Sequence, residues 1–188
     1  MISRETGLAY HANPFLCFLK PNRFFIFLFF PDLLPLFTLN MGQLSELLPL
    51  ENIVLDLEVS SKKRIFEHAG LVFENNQGIA RSAVFDSLFS REKLGSTGLG
   101  RGIAIPHGRI KGLKEACGAF FRLTTPVPFD AEDDVPVTLL FVLLVPEQAT
   151  EQHLQILSEL AERFSNRTCR EALASAKNAE AVRQIFVS

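Results

Sequence analysis

The spacing of apolar and polar positions predicts a chain of alternating strands and helices beyond residue 43. Residues 44–48 (LSELL) predict a short helical turn before Pro49. Residues 53–59 (IVLDLEV) alternate apolar and acidic side chains in part, as a half-buried strand does. Ile65, Ala69, Val72 and Phe73 recur at helical spacing and predict a helix from Ser61 to Asn75. Ser60 or Ser61 can cap its start, and Asn76 and Gly78 provide a stop. Val84, Phe85, Leu88 and Phe89 share one face of a second helix, Ser82–Lys93. After a glycine-rich segment, CGAFFRL (117–123) reads as a strand. VTLLFVLLV (137–145) reads as a central strand buried on both faces and ended by Pro146. Leu154, Leu157, Leu160, Ala161 and Phe164 line a long helix that starts at Glu147 or Thr150. Two short helices, 169–176 and 179–186, finish the chain. Strands interleaved with helices predict an α/β domain, a sheet covered by helices on both faces.

The first forty residues obey none of these periods. They hold eight of the 18 phenylalanines, three basic and two acidic side chains. FFIFLFF (24–30) follows Lys20 and Arg23, which is the order of charged and apolar regions in a signal peptide. Pro31, Asp32 and Pro35 interrupt the run, and no small-residue cleavage site follows. A spanning helix needs about 20 apolar residues, more than the run supplies. We read Met41 as the start of the working protein, 41–188 as its domain, and 1–40 as an extension without packed structure. An export or membrane signal and a docking tail are the alternatives.

Composition narrows the function. The 188 residues carry a net charge of −2, with 47% hydrophobic and 21% charged residues. That is an ordinary globular balance without the positive excess of a nucleic-acid binder. Cys17, Cys117 and Cys169 match neither a disulfide framework nor a zinc-site spacing, which fits a reducing compartment. We read Cys117 and Cys169 as small apolar packing residues. Lys62, Lys63 and Arg64 read as a solvated helix face.

Candidate chemistry gathers in one segment. Six of the eleven glycines fall within Gly95–Gly112. Glycine-rich loops often cradle phosphate with main-chain N–H groups, but neither a Walker loop nor GxGxxG is present. Ile103-Ala104-Ile105 predicts a short strand, and Pro106 then ends regular pairing because it lacks an N–H. His107 follows, fixed between Pro106 and Gly108. A neutral imidazole there can act as a nucleophile; a loop histidine without a task is the other reading.

The run REKLGSTGLGRGIAIPHGRI (Arg91–Ile110) resembles the phosphorylation-site signature of the mannitol/fructose-type enzyme IIA domains of the bacterial sugar phosphotransferase system. It is most similar to their nitrogen-regulatory branch. The resemblance continues through Pro126–Asp130, Leu139–Pro146 and Glu151–Leu154 and spans about residues 41–187. It implies a mixed five-stranded sheet flanked by helices. His107 would accept a phosphoryl group from a phosphohistidine carrier, HPr or its nitrogen-branch analogue NPr. His153 would be the second active-site histidine, and Arg91 the arginine before the glycine loop. Ser96 and Thr97 would be the loop hydroxyls, and the main-chain N–H groups of Gly98, Gly100 and Gly102 would face the phosphoryl oxygens. The resemblance implies a cytoplasmic relay that signals to regulated proteins through its phosphorylation state. It implies no metal, cofactor, nucleic acid or membrane for 41–188. A sugar-specific enzyme IIA passing phosphate to a IIB protein and a binding module inactive in transfer are the alternatives.

Overall fold

The computed structural model describes residues 46–148 and 151–187, without the side chains of Glu151 and Gln152. The extension 1–40, with Cys17, and the first residues of the 44–48 turn lie outside the described residues. Strand β1 (Ile53–Leu57) leads into helices α1 (Lys62–Gln77) and α2 (Arg81–Glu92). Four strands follow: β2 (Gly98–Gly100), β3 (Ile103–Ala104), β4 (His107–Ile110) and β5 (Cys117–Val127). Then come β6 (Val137–Pro146) and helices α3 (Glu151–Ser165), α4 (Arg167–Ser175) and α5 (Ala179–Val187). Among the described residues no helix is long and apolar enough to cross a membrane.

The sheet runs β1-β5-β6-β3-β2, with β4 also on β6. It is mixed: β1 lies parallel to β5, β5 antiparallel to β6, and β3 and β4 parallel to β6. The six segments fill five positions, because β3 and β4 form one interrupted strand. Ile103 pairs with Leu139 and His107 with Leu143, so the register is unbroken across Pro106. Pro106 has no N–H to give, yet its carbonyl accepts from the Leu143 N–H at 2.9 Å. Pairing therefore resumes at His107, which heads a strand instead of sitting in the loop that the proline suggested.

Side chains alternate across β5 and β6 and divide the core in two. Ala119, Phe121, Leu140, Val142 and Leu144 pack against Ile65, Phe66, Phe73, Val84 and Leu88 of α1 and α2. Phe120, Leu139, Phe141, Leu143 and Val145 face Leu160, Phe164, Leu173, Val182 and Phe186 of the last three helices. Each buried Val, Leu, Ile or Phe among them contributes roughly 1.5–3 kcal/mol of transfer free energy. These two faces account for the unbroken apolar run of β6.

Local signals set the helix that leads toward the site. Ser61 caps α1 by accepting the Arg64 N–H at 3.3 Å. Gly78, at φ 68°, ends it in the left-handed conformation, and the Ile79 N–H closes back on the Phe73 carbonyl at 3.3 Å. α2 then crosses β4. Gly108 permits this approach, since a Cβ there would land on the Ser87 side chain. The Ser87 hydroxyl donates to the Arg109 carbonyl at 2.8 Å and fastens the helix to the strand.

Candidate functional site

Three elements converge on His107: the head of β4, the last turn of α2 and the first turns of α3. The His107 ring is half-buried. Its Nδ1 lies 2.9 Å from the Ile105 carbonyl oxygen, which can only accept, so Nδ1 carries the proton. The Arg91 Nε–H donates to His107 Nε2 at 3.0 Å, and Nε2 therefore presents its lone pair. Burial pulls the His107 pKa below the ordinary histidine value, opposed by the Ile105 carbonyl. The charge of Arg91 lowers it further, Glu92 opposes, and His153 adds a smaller lowering effect. The site thus holds a neutral imidazole of one tautomer, with its nucleophilic atom fixed as Nε2.

Arg91 sits where a helix favours a cation, in the last turn of α2. Its Nη1 donates to the Gly95 carbonyl at 2.9 Å, which steers the guanidinium across the loop toward His107. His153 lies near the start of α3, close enough for its charge to act on His107. Its Nδ1 is buried and, among the described residues, has no hydrogen-bond partner.

The loop residues are engaged within the chain. The Ser96 hydroxyl donates to the Phe129 carbonyl and accepts the Gly98 N–H at 3.0 Å. Thr97 is buried; its hydroxyl and N–H donate to Glu92 Oε2 at 2.6 and 3.1 Å. Gly98–Gly102 form the β2–β3 hairpin, turning at Arg101 and Gly102 with φ 56° and 77°. The Asp133 carboxylate accepts the Arg101 N–H at 2.6 Å and lies where a Gly100 Cβ would be. The glycines thus serve a tight turn and a close approach by Asp133. The structure brings His107, Arg91 and His153 together; it gives Ser96, Thr97 and the Gly98 and Arg101 N–H groups partners of their own.

Two residues at the rim of the site escaped the sequence reading. Glu92, next to Arg91, is almost fully buried and binds Lys62 Nζ at 2.7 Å. Lys62 also reaches the Phe129 carbonyl at 3.0 Å and Asp130 at 2.9 Å. It does not belong to the solvated face expected of Lys62–Arg64, because three acceptors converge on its ammonium. Burial alone would lower the Lys62 pKa, but its bonds to Glu92 and Asp130 hold it above the ordinary lysine value. The adjacency of Glu92 to Arg91 was the sequence signal available for it.

The surroundings favour a macromolecular visitor. Leu94, beside Gly95, and Leu154, beside His153, are 85% and 62% exposed, and Leu99 on β2 is also exposed. Two open concavities, of about 530 and 770 Å³, are lined by residues other than His107 and Arg91. Among the described residues no group of three His, Cys, Asp or Glu could hold a metal ion. Cys117 is partly buried against the core, and that burial pushes its thiol up to about 12.

Comparison with known proteins agrees with this fold. The family model described as phosphoenolpyruvate-dependent sugar phosphotransferase system, EIIA 2, matches residues 46–188. A nitrogen regulatory protein of Pseudomonas aeruginosa is 45% identical over 148 residues, covering 78% of this chain and 96% of that protein. The crystal structure of nitrogen regulatory protein IIA-Ntr from Neisseria meningitidis superposes with a TM-score of 0.73 at 57% identity. That match covers 76% of this chain and 98% of that one. IIA mannitol from Escherichia coli superposes with a TM-score of 0.61 at 25% identity, over 72% of this chain and 96% of that one. With the sheet, the histidine and the arginine placed as they are, the chain belongs to the EIIA 2 family of the phosphoenolpyruvate-dependent sugar phosphotransferase system.

Proposed function

We propose that this protein is a phosphoryl-accepting regulator of the nitrogen-type phosphotransferase branch, phosphorylated on His107 Nε2. One observation carries the reading: the Nε2 lone pair faces Arg91 while Nδ1–H is held by the Ile105 carbonyl. The donor is a phosphohistidine carrier of the HPr or NPr type. Its phosphoryl phosphorus approaches Nε2 in line, the carrier's N–P bond breaks as the new one forms, and the carrier's ring leaves with the electron pair. No proton has to move, because the His107 proton already sits on Nδ1. Arg91 leaves Nε2 for the phosphoryl oxygens, where its fork of donors offsets their charge. His153, near enough to influence His107, supplies a second polar contact.

The exposed Leu94, beside Gly95, and Leu154, beside His153, give the carrier an apolar seat at the site. Similarity to the nitrogen regulatory proteins supports a regulatory output, in which phosphate on His107 adds charge and bulk that regulated proteins sense. The test is incubation with phosphoenolpyruvate, an enzyme I-type kinase and the carrier. Wild type should take up acid-labile phosphate and His107→Ala should not. Equal uptake by both would place the phosphate elsewhere and end this reading.

A further inference from the structure

Arg91 and Glu92 are consecutive, so the helix turns their side chains about 100° apart. Arg91 reaches His107, while Glu92 turns into the protein, its side chain 7% exposed. A carboxylate so buried is retained only where partners replace water. Here Oε2 accepts the N–H and the hydroxyl of Thr97, and Oε1 accepts Lys62. Lys62 spends its other donors on the Phe129 carbonyl and Asp130, and its ammonium lies 4.7 Å from the centre of the Phe129 ring. Ser96 donates to the same Phe129 carbonyl. The Glu92 carboxylate thus ties the end of α2 to the start of α1 and to the loop before β2, and Lys62 extends the tie to the loop after β5. That loop before β2 contains Gly95, whose carbonyl holds Arg91.

We propose that Glu92, neutralised by Lys62, is a positioning residue for the phosphoryl site: it sets the loop that aims Arg91 at His107 Nε2. The inference rests on the phosphoryl-acceptor reading of His107. The pairing has an electrostatic side as well. The charged groups that face His107 are Arg91, Glu92 and His153. An unpaired Glu92 carboxylate would repel the negative phosphoryl oxygens, and Lys62 cancels that charge where it arises. Lys62 and Glu92 therefore act as a unit, with opposite single effects on the electrostatics of the histidine.

The test compares Glu92→Gln, Lys62→Met, Lys62→Arg and the Glu92→Gln/Lys62→Met double variant in the full chain. Transfer from a phosphorylated carrier should slow about 10-fold or more in Glu92→Gln, in the maximal rate and not in carrier affinity. Lys62→Met should be slower than the double variant, because it alone leaves a buried uncompensated carboxylate, and Lys62→Arg should recover most of the rate. An NMR titration of His107 in the unphosphorylated protein gives a second readout. Its midpoint should fall in Glu92→Gln and rise in Lys62→Met. Loosened packing alone would move both midpoints the same way. A Glu92→Gln rate within about twofold of wild type overturns the proposal, as do midpoints that shift together or not at all. A wild-type protein that accepts no phosphate while the midpoints move apart would instead overturn the acceptor reading, and with it the positioning role, and leave only the electrostatic pairing of Glu92 and Lys62 at His107.

Discussion

Arg91 and His107, sixteen positions apart in the chain, meet through one hydrogen bond of 3.0 Å from Nε to Nε2. In the transfer proposed for this site, that bond occupies the lone pair that attacks phosphorus. In the resting state it keeps the imidazole neutral and facing outward. As the phosphoryl group arrives the same guanidinium becomes available to its oxygens, while Gly95 still holds Nη1. One side chain thus guards the nucleophile first and stabilises the transferring group afterwards.

Replacing Arg91 with Gln should therefore lower the single-turnover rate of phosphoryl transfer by about 10²- to 10³-fold, the scale of losing a transition-state charge donor. Arg91→Lys should recover only part of that loss. A lysine restores the charge but cannot hold Gly95 and the phosphoryl oxygens with one planar fork. Full activity in Arg91→Lys would mean that charge alone matters and that the bond to Gly95 is incidental.

The pH profile follows from the direction of the His107 shift. Burial holds its pKa below the ordinary value of 6.5, so the nucleophile stays neutral into mildly acidic solution. Phosphorylation should stay level as pH falls through 6.5 and decline only at lower pH, where His107 protonates. The folded pKa lies below the unfolded one, so protonation favours the unfolded chain. The stability linked to His107 is complete above pH 6.5 and is lost as pH falls from there through the folded pKa. His107→Gln should thus show a shallower acid-side loss of melting temperature than wild type.

The sheet was legible because strand signals depend on local pattern: the apolar run 137–145 differs from β6 by one residue, and α1 keeps its Ser61 and Gly78 boundaries. β5 ran longer than CGAFFRL suggests. Pro126 has no N–H, and the register shifts between Arg122 and Val127, an irregularity that lets the strand pass a proline. The resemblance singled out Arg91, His107 and His153 for the site. The roles of Ser96, Thr97 and the glycines were not visible, since they depend on Phe129, Glu92 and Asp133, which contact the loop only in the folded chain. Lys62 shows the same limit. Periodicity puts it at a helix start, but only tertiary packing brings Glu92, Phe129 and Asp130 around it.

His153 bears a separate expectation. Its buried Nδ1 has no partner among the described residues, an arrangement that is unfavourable unless a group arrives to use it. In the proposed phosphorylated state an oxygen on His107 would accept a hydrogen bond from that nitrogen. His153→Ala should slow phosphorylation about 10-fold or more and shorten the lifetime of the phosphorylated protein. Chase experiments with the purified phosphoprotein would read the second effect. An unchanged lifetime would assign the orphan nitrogen to packing.

Gly108 couples stability to activity. A Cβ at this position would overlap the Ser87 hydroxyl and lie 3.1 Å from Ser87 Cβ and 3.3 Å from the Leu88 nitrogen. α2 cannot yield easily, because Arg91, further along the same helix, is bonded to His107. Gly108→Ala should therefore cost about 1–3 kcal/mol in urea denaturation, the usual penalty of overpacking. It should also slow transfer, since pushing β4 from α2 separates Arg91 from the histidine. Adding Ser87→Gly removes both nearest obstacles, at about 0.5–1 kcal/mol for a glycine inside a helix and about 0.5–1.5 kcal/mol for the lost bond to the Arg109 carbonyl. The double variant should regain transfer rate to a greater extent than stability. If it regains stability while transfer stays slow, the spacing between α2 and β4 does not set the Arg91–His107 contact.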